Sequence, residues 1–514
     1  MRRARQAAAL AAVGLALAVP AAARTQAAPP PQAAPGLTLA EAVRTTLVQS
    51  PAIAAAEWGV EAQRGALRQA QGAFDPELAA GVASDRAQTP GLGQQGGTTL
   101  ARSSALEYRL GVDQRLRSGV VVSPSLAVRR TDLGAGQAPS SRAELSTALV
   151  VPLLRGRGGT LARAGERAAT HELAGSVADL RHRRAESVLD AVLAYWDYAA
   201  ATRRLEVLKE AEGRAATLLS ETEALIRADA RPAIDAVPLR ATLASKRADR
   251  IAGEQSLLGA RQALAVAMGI SPAQFLALAP PSTPFPELAA GALPPAPQLV
   301  DEALRQRADL AAARSREEAA QAFLSGARTE RRPQMDLRLT AGVSGLESGE
   351  NLRPLLTPFY RDRSGFHLEM DVSWAVPVRN RAAEGLVLQR AAAGRQAGLE
   401  VAELTRTATL DVLTAAESLK SALAGLEQAA EAVRLHLQAV DAEKAKFRLG
   451  TSTLFDVLFA EDALTGATLG EIAARGRVAA ALATLRFHSG ALSGGEGGEG
   501  VDAALLTTWR PAGR

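Results

Sequence analysis

Between about residues 382 and 449 apolar side chains recur every seven positions, at Val412, Leu419, Leu426, Val433, Val440 and Phe447, with Ala416, Leu423, Ala430 and Leu437 between them. A repeat sustained over this many heptads requires a long helix lying against another helix. At 1.5 Å per residue such a segment extends roughly 100 Å, which is too long for one globular domain. It ends in Phe447-Arg448-Leu449-Gly450-Thr451-Ser452-Thr453-Leu454-Phe455-Asp456-Val457-Leu458. Gly450 can take the left-handed backbone of a helix C-cap, and Thr451 or Ser452 can cap a following helix, so the chain is expected to reverse here. A return helix from Leu454 to about Ser489 completes a hairpin.

The same design occurs earlier as Ile226-Arg227-Ala228-Asp229-Ala230-Arg231-Pro232-Ala233-Ile234-Asp235. Ile226 corresponds to Phe447, Arg227 to Arg448, Asp229 to Gly450 and Asp235 to Asp456. A helical stretch from about Thr160 to Ala228 leads in, and Ala233 to about Gly269 leads back. Ahead of each hairpin lies a shorter helical passage. The first opens at Leu37-Thr38-Leu39-Ala40-Glu41, where Thr38 and Glu41 form a capping box, breaks near Pro51 and runs to about Gly72 before Phe74-Asp75-Pro76. The second opens at Leu299-Val300-Asp301-Glu302-Ala303-Leu304 and ends at Arg331-Arg332-Pro333. The chain therefore reads as two internal repeats.

Beyond Pro76 and Pro333 the period changes to alternation. Leu337, Leu339, Ala341 and Val343 alternate with Arg338, Thr340 and Gly342, and Phe366, Leu368, Met370, Val372 and Trp374 alternate with His367, Glu369, Asp371 and Ser373. These are strands with one apolar and one polar face. Such a face is core in a soluble sandwich or faces lipid in a membrane barrel, and period alone is consistent with both. The first half carries more strand material, at Leu78 to Ala83, Leu106 to Leu116, Val120 to Arg130 and Leu145 to Leu153.

Residues 1–23 combine Arg2, Arg3 and Arg5 with an apolar run and the small residues Ala21-Ala22-Ala23, the pattern of a secretory signal peptide. A Pro-rich lead occupies 24–36, the first repeat 37–278, a Pro-rich linker 279–297, the second repeat 298–490 and a Gly-rich tail, expected to be unstructured, 491–514. After the signal, no continuous apolar stretch of about 18 residues follows.

Aromatic residues make up only 4% of the chain, which suits long packed helices better than a compact enzyme core. The formal net charge of +5 is spread as arginines interleaved with acids, a solvated helix face rather than a nucleic-acid footprint. The absence of Cys excludes disulfides, thiolate metal sites and an N-terminal lipid-modified cysteine. His171, His182, His367, His436 and His488 are scattered without metal-ligand spacing; His367 falls on a polar strand face, and the others read as surface helix positions. No phosphate-binding loop, nucleophile elbow or dinucleotide fingerprint is present, so no catalytic residue, cofactor or metal is expected.

The duplicated tips, the paired opening motifs and the strand-to-helix exits Val150-Val151-Pro152 and Ala375-Val376-Pro377 resemble the TolC-like family of outer-membrane efflux proteins over residues 37 to about 489. That resemblance implies a mainly α fold with β-strands: long helical hairpins forming a trimeric α-barrel tunnel, and strands contributing to a shared transmembrane β-barrel. It implies two barrel strands per repeat, so 106–130 reads as an extra hairpin either within the barrel or outside it. The implied location is the outer membrane of a Gram-negative cell, with the helices in the periplasm. The implied partners are two further copies, a periplasmic adaptor, outer-membrane lipid and, indirectly, an inner-membrane pump.

By the same resemblance Asp456 and Asp235 are acidic gate positions, and the second acidic ring position falls on Phe459. The tyrosine and arginine lock positions fall on Phe447 and Ser452, so a hydrophobic constriction is expected in place of part of a salt-bridged lock. Leu449, Gly450, Thr451, Ser452, Ala230, Arg231 and Pro232 are the expected adaptor-docking tips. Both aspartates also suit a plainer role as negative charge at a helix N-terminus. In a trimeric ring, like charges would raise the apparent pKa of Asp456. The main alternative is a periplasmic coiled-coil adaptor or scaffold, which would share the signal and hairpins but carry one hairpin beside compact β domains; an enzyme is the third reading.

Overall fold

The computed structural model describes residues 36–92, 97–134, 138–229, 231–288, 293–348, 364–493 and 506–508. The signal segment, the lead before Gly36 and Ala230 lie outside them. The first half contains α1 (Leu39–Gln49), α2 (Pro51–Gly72), β1 (Glu77–Leu92), β2 (Thr98–Arg115), β3 (Val121–Asp132), β4 (Ser140–Pro152), α3 (Ala164–Arg227), α4 (Ala236–Met268) and α5 (Pro272–Leu276). The second contains α6 (Ala296–Gln306), α7 (Ala308–Glu330), β5 (Gln334–Ser348), β6 (Ser364–Ala375), α8 (Arg381–Arg448) and α9 (Leu454–His488).

The two halves start alike. Thr38 and Glu41 make the expected capping box on α1. Ser50, between α1 and α2, has φ −63° and ψ 121°, and Arg307, between α6 and α7, has the same pair of angles. Pro51 sits at the first position of α2, where its missing N–H costs nothing. The break in the second half has no proline. There the buried Arg307 guanidinium holds Asp309 at 2.7 Å and reaches Asp411 of α8 at 3.4 Å. His488 of α9 lies 3.6 Å from the same Asp411 carboxylate, and burial pushes its pKa down. His488 is thus a packed residue of the helix interface and not the surface position expected, because α9 turns that face toward α8. His171 stands 2.9 Å from Glu318 of α7.

The helices pack through small residues. Along α3 the buried set is dominated by alanine, including Ala168, Ala178, Ala185, Ala191, Ala199 and Ala211. Two apolar clusters lie side by side at mid-length. In one, Leu39, Ala42 and Val43 of α1 meet Val188, Val192, Tyr195 and Trp196 of α3 and Leu264 of α4. In the other, Leu299 and Ala303 of α6 meet Val412, Ala416 and Leu419 of α8 and Val478, Leu482 and Leu485 of α9. Ala479 and Ala483 of α9 belong to the first cluster, so α9 joins the halves through two adjacent faces. Leu492 and Leu506 are also buried there, so parts of the tail pack against the body, contrary to the unstructured tail expected.

The heptad stripe is half covered. Val412, Leu419 and Val440 are buried and Phe447 is half-buried, whereas Ala430 and Leu437 are exposed. Packing against α9 uses the first series and the start of the second, at Ala416 and Leu423, whereas Ala430 and Leu437 nearer the tip are left uncovered among the described residues.

All six strands form one antiparallel sheet in the order β1-β2-β3-β4-β5-β6. The segment 106–130 lies inside it: Leu106 stands opposite Arg130, Leu110 opposite Leu126, and β3 continues onto β4 with Leu126 opposite Leu145. The halves join where Leu145 faces Val343 and Leu149 faces Leu339. A second sheet packed on this one is absent among the described residues. Phe366, Leu368, Met370 and Trp374 are 71%, 68%, 70% and 68% exposed, an apolar surface of the kind that marks a protein or membrane contact.

The Pro-rich linker is not a loose tether. Leu37 pairs with Pro281 in a β-bridge, Leu37 N–H donates to the Pro280 carbonyl and Ser282 N–H donates to the Leu37 carbonyl, both at 2.9 Å. The buried Tyr195 hydroxyl ties this crossing to α3 by donating to the Leu37 carbonyl at 2.9 Å and accepting from Thr283 N–H at 3.0 Å. Tyr195→Phe leaves that N–H without its acceptor and is expected to cost about 1–3 kcal/mol, seen as a lowered unfolding temperature of the purified protein.

Candidate functional site

The candidate site is the end of the helical body farthest along the chain from the sheet, where α3 turns into α4 and α8 into α9. At the second tip α8 ends in a Schellman motif. Gly450 has φ +74°, its N–H donates to the Phe447 carbonyl at 3.1 Å, and Thr451 N–H donates to the Lys446 carbonyl at 3.0 Å. At the first tip Asp229 takes the equivalent place with φ +55°, the one positive φ on a non-glycine among the described residues, and its N–H donates to the Ile226 carbonyl at 3.0 Å. The correspondence of Asp229 with Gly450 is therefore a backbone fact.

The caps differ in detail from expectation. Thr453, not Thr451 or Ser452, is the N-cap of α9: its hydroxyl accepts from Asp456 N–H at 3.3 Å, and the Asp456 carboxylate accepts from Thr453 N–H at 2.8 Å. Thr451 is held back by the end of α8, its hydroxyl 3.1 Å from the Lys446 carbonyl. Ser452 Oγ lies 2.8 Å from Glu443 Oε2 and 3.2 Å from Asp456 Oδ2, bridging the two helices.

Within one protomer Asp456 is a capping residue. The Thr453 hydroxyl and then the Thr453 N–H hold its carboxyl below the usual aspartate value; the rise expected from a ring of like charges concerns an assembly of several copies. Glu443 is lowered too, first by Lys446, whose Nζ is 2.5 Å away, then by Ser452. The physical reason is local: two donors from one residue stabilise the carboxylate before any neighbouring copy is present.

Asp235 precedes α4 without a side-chain cap and lies 3.6 Å from Arg231. The Arg231 guanidinium also lies 5.0 Å over the ring of Phe447. Arg231, expected only as a docking residue, thus brings Asp235 of one tip and Phe447 of the other together. Pro232 begins the single 3-10 turn Ala233–Asp235 that leads into α4. Phe459, Phe455, Leu449 and Ile234 are 78%, 67%, 79% and 70% exposed, an apolar fringe on both hairpins.

Sequence reasoning missed the ion pairs roughly one to four turns behind the tips. Lys246 of α4 reaches Asp462 of α9 at 2.8 Å, and Lys444 of α8 reaches Glu461 at 2.8 Å. Arg214 of α3 lies 4.0 Å from Glu461 and 3.2 Å from the Thr465 hydroxyl. Lys246–Asp462 and Arg214–Glu461 clamp one hairpin on the other, while Lys444–Glu461 ties the two arms of the second hairpin. Nothing in the spacing of charges along a single helix marks them, since each joins two different helices. Among the described residues, no group of three or more His, Asp or Glu side chains is arranged to hold a metal ion, and no helix is long and apolar enough to cross a membrane.

A helical body some 100 Å long thus carries an open β-sheet at one end and paired tips at the other. Solved structures share it. VceC of Vibrio cholerae is 18% identical, with 88% of this chain and 96% of that chain covered and a TM-score of 0.63. CmeC of Campylobacter jejuni is 15% identical, covering 88% and 85% with a TM-score of 0.64, and the open state of MtrE of Neisseria gonorrhoeae is 17% identical, covering 88% of each with a TM-score of 0.60. Among curated proteins no sequence matches the chain. Residues 299–491 match the model of the outer membrane efflux protein family, the family that the sequence resembles.

Two outcomes follow for the tip. Gly450→Val should strain the left-handed turn by roughly 1–2 kcal/mol, and amide exchange should quicken at residues 447–453 without change at the mid-length clusters. Because the Asp456 pKa is lowered on folding, its contribution to order is complete above the unfolded aspartate value of 3.8 and is lost as pH falls through the lower folded value. Exchange of the Asp456 amide, followed by acid titration, should show protection lost in that lower range, and earlier in Thr453→Ala.

Proposed function

We propose that this chain is one protomer of a trimeric outer-membrane duct, the exit path of a tripartite efflux pump or type I secretion system. One observation carries the reading: a sheet with two unpaired edges and an uncovered apolar face, continuous with helical hairpins about 100 Å long. Every strand has at least 12 residues, more than the roughly 9–11 needed to cross a bilayer. Unpaired backbone groups in lipid cost several kcal/mol each, so the sheet is complete only when further copies pair with β1 and β6. A periplasmic adaptor or scaffold has no need of such a sheet, and the hairpins here are two, clamped together.

In this reading the polar sheet face and the helical interior bound a water-filled route, and the protein supplies no energy of its own. The tips Leu449 to Thr453 and 230–234 dock onto an adaptor. Three copies of Asp456 stand near the axis at the narrow end, and Phe459 and Phe447 add apolar constriction. The exported substrate is selected upstream. Three carboxylates brought together in such a ring repel one another, which raises their apparent pKa values and attracts multivalent cations.

Fractionation and cross-linking test the assembly: the protein should sediment with the outer membrane and give trimers in detergent. A soluble protein or only monomers and dimers would refute the duct. In planar bilayers Asp456→Ala should lower cation selectivity and block by multivalent cations; unchanged values would leave Asp456 a capping residue only. Gly450→Trp should abolish export while trimers persist.

A further inference from the structure

The hairpin formed by β2 and β3 is the part of the sheet that the family resemblance does not require. It lies in the plane of the sheet between β1 and β4, paired to β1 along its full length from Glu77–Asp113 to Leu92–Thr98. The apolar row is unbroken across it. Val82, Tyr108, Val128 and Ala143 stand in one line of partners, as do Ala80, Leu110, Leu126, Leu145, Val343 and Phe366. The hairpin therefore presents the same face to lipid as the strands on either side.

The opposite face is also continuous. Glu107 forms ion pairs with Arg109 and with Arg129 at 4.0 Å, and farther round the sheet Glu144 lies 3.6 Å from His367. Gly342 on the intervening strand makes room for that reach: a Cβ there would stand 2.6 Å from His367 Nε2. Charges ordered along one face of a sheet whose other face is apolar place water on the charged side.

The turn of the hairpin is built into the body. Arg117 donates to Glu166 of α3 at 2.7 and 2.9 Å, and its guanidinium lies 4.9 Å over the ring of Phe74 at the end of α2. A Cβ on Gly119 would come within 2.6 Å of the Gly156 carbonyl, and one on Gly159 would collide with the Arg117 carbonyl. The turn is thus seated beneath the exit of β4 with no space between them.

We infer that β2 and β3 are part of the membrane wall, and that three copies close β1 onto β6 into an eighteen-stranded barrel with a wide aqueous lumen lined by Glu107, Arg109, Arg129, Glu144 and His367. This rests on the trimeric duct proposed above. An even number of strands per copy puts β1 and β6 antiparallel at each joint, as closure by a regular ladder requires. With strands about 4.8 Å apart and tilted about 40°, eighteen strands give a backbone diameter of about 36 Å, against about 24 Å for twelve. Once side chains line both, the open cross-section is roughly threefold larger. The membrane segment then admits bulky hydrophilic solutes, and the tips alone set the size limit.

The chain has no cysteine, so introduced pairs report strand neighbours directly. In trimers in outer-membrane vesicles, a β1 cysteine at Val82 combined with cysteines scanned along Phe366, Leu368, Met370 and Val372 should give disulfide-linked trimers at one register. Val82→Cys with Leu145→Cys should not cross-link, since two strands separate them. Neutral polymers added from the extracellular side should enter the parent lumen, and deletion of residues 98–134 should lower the size of polymer admitted by roughly half. Trimers with a Val82–Leu145 cross-link, or an unchanged polymer limit after deletion, overturn the wide barrel and leave the duct intact. Absence of trimers in the membrane overturns both.

Discussion

The backbone of β1 and of β6 is hydrogen-bonded on one side only. In water such edges are a hazard; in hydrocarbon they are untenable, because no solvent replaces the missing partner. That single constraint shapes the rest of the molecule. Leu78, Val82, Phe366, Leu368 and Met370 are exposed on one face of the same sheet, so edges and face alike are left for contacts outside the chain, which in the duct proposed above are neighbouring copies and lipid. The helices repeat the theme, with Trp58, Leu388 and Leu399 exposed along flanks that have no partner within the chain.

Between sheet and tips, stability rests on close approach of helices with small side chains. Alanines along α3 let α1, α4, α7 and α9 lie near one another, and the few large side chains are gathered at mid-length around Tyr195 and Trp196. Short helices α1 and α6 fill the space beside the long ones there. The crossing of Leu37 with Pro281, closed by the Tyr195 hydroxyl, binds the start of the chain to the linker between halves. This belt ties the hairpins together without disulfides, since the chain has no cysteine.

At the tips two kinds of force are separated in space. Local backbone geometry turns the chain, through the left-handed Gly450 and Asp229 and the Thr453–Asp456 cap. Charges drawn from different helices then hold one hairpin to the other, with Lys246 and Asp462 as the clearest pair and Arg231 reaching both Asp235 and Phe447. The inter-hairpin pairs can part while each turn stays folded, since the turns depend on bonds internal to each hairpin.

The sequence by itself determined the long helices, their reversal points, the alternating strands and the breaks at Pro51 and before Pro333. Each is written in neighbouring residues: a heptad period, a glycine able to take positive φ, a change from helical to twofold spacing. It left three matters open. Thr453 displaced Thr451 and Ser452 as cap because the end of α8 and Glu443 compete for those hydroxyls, which only folding brings near. The segment 106–130 could have lain inside or outside the wall until its partners on β1 and β4 were known, and strand pairing is a contact between distant residues that period does not encode. The clamp of Lys246 on Asp462 and the reach of Arg231 to Phe447 likewise join separate halves. Local chemistry set the elements; packing between the halves decided which charges meet and which strands join in one sheet.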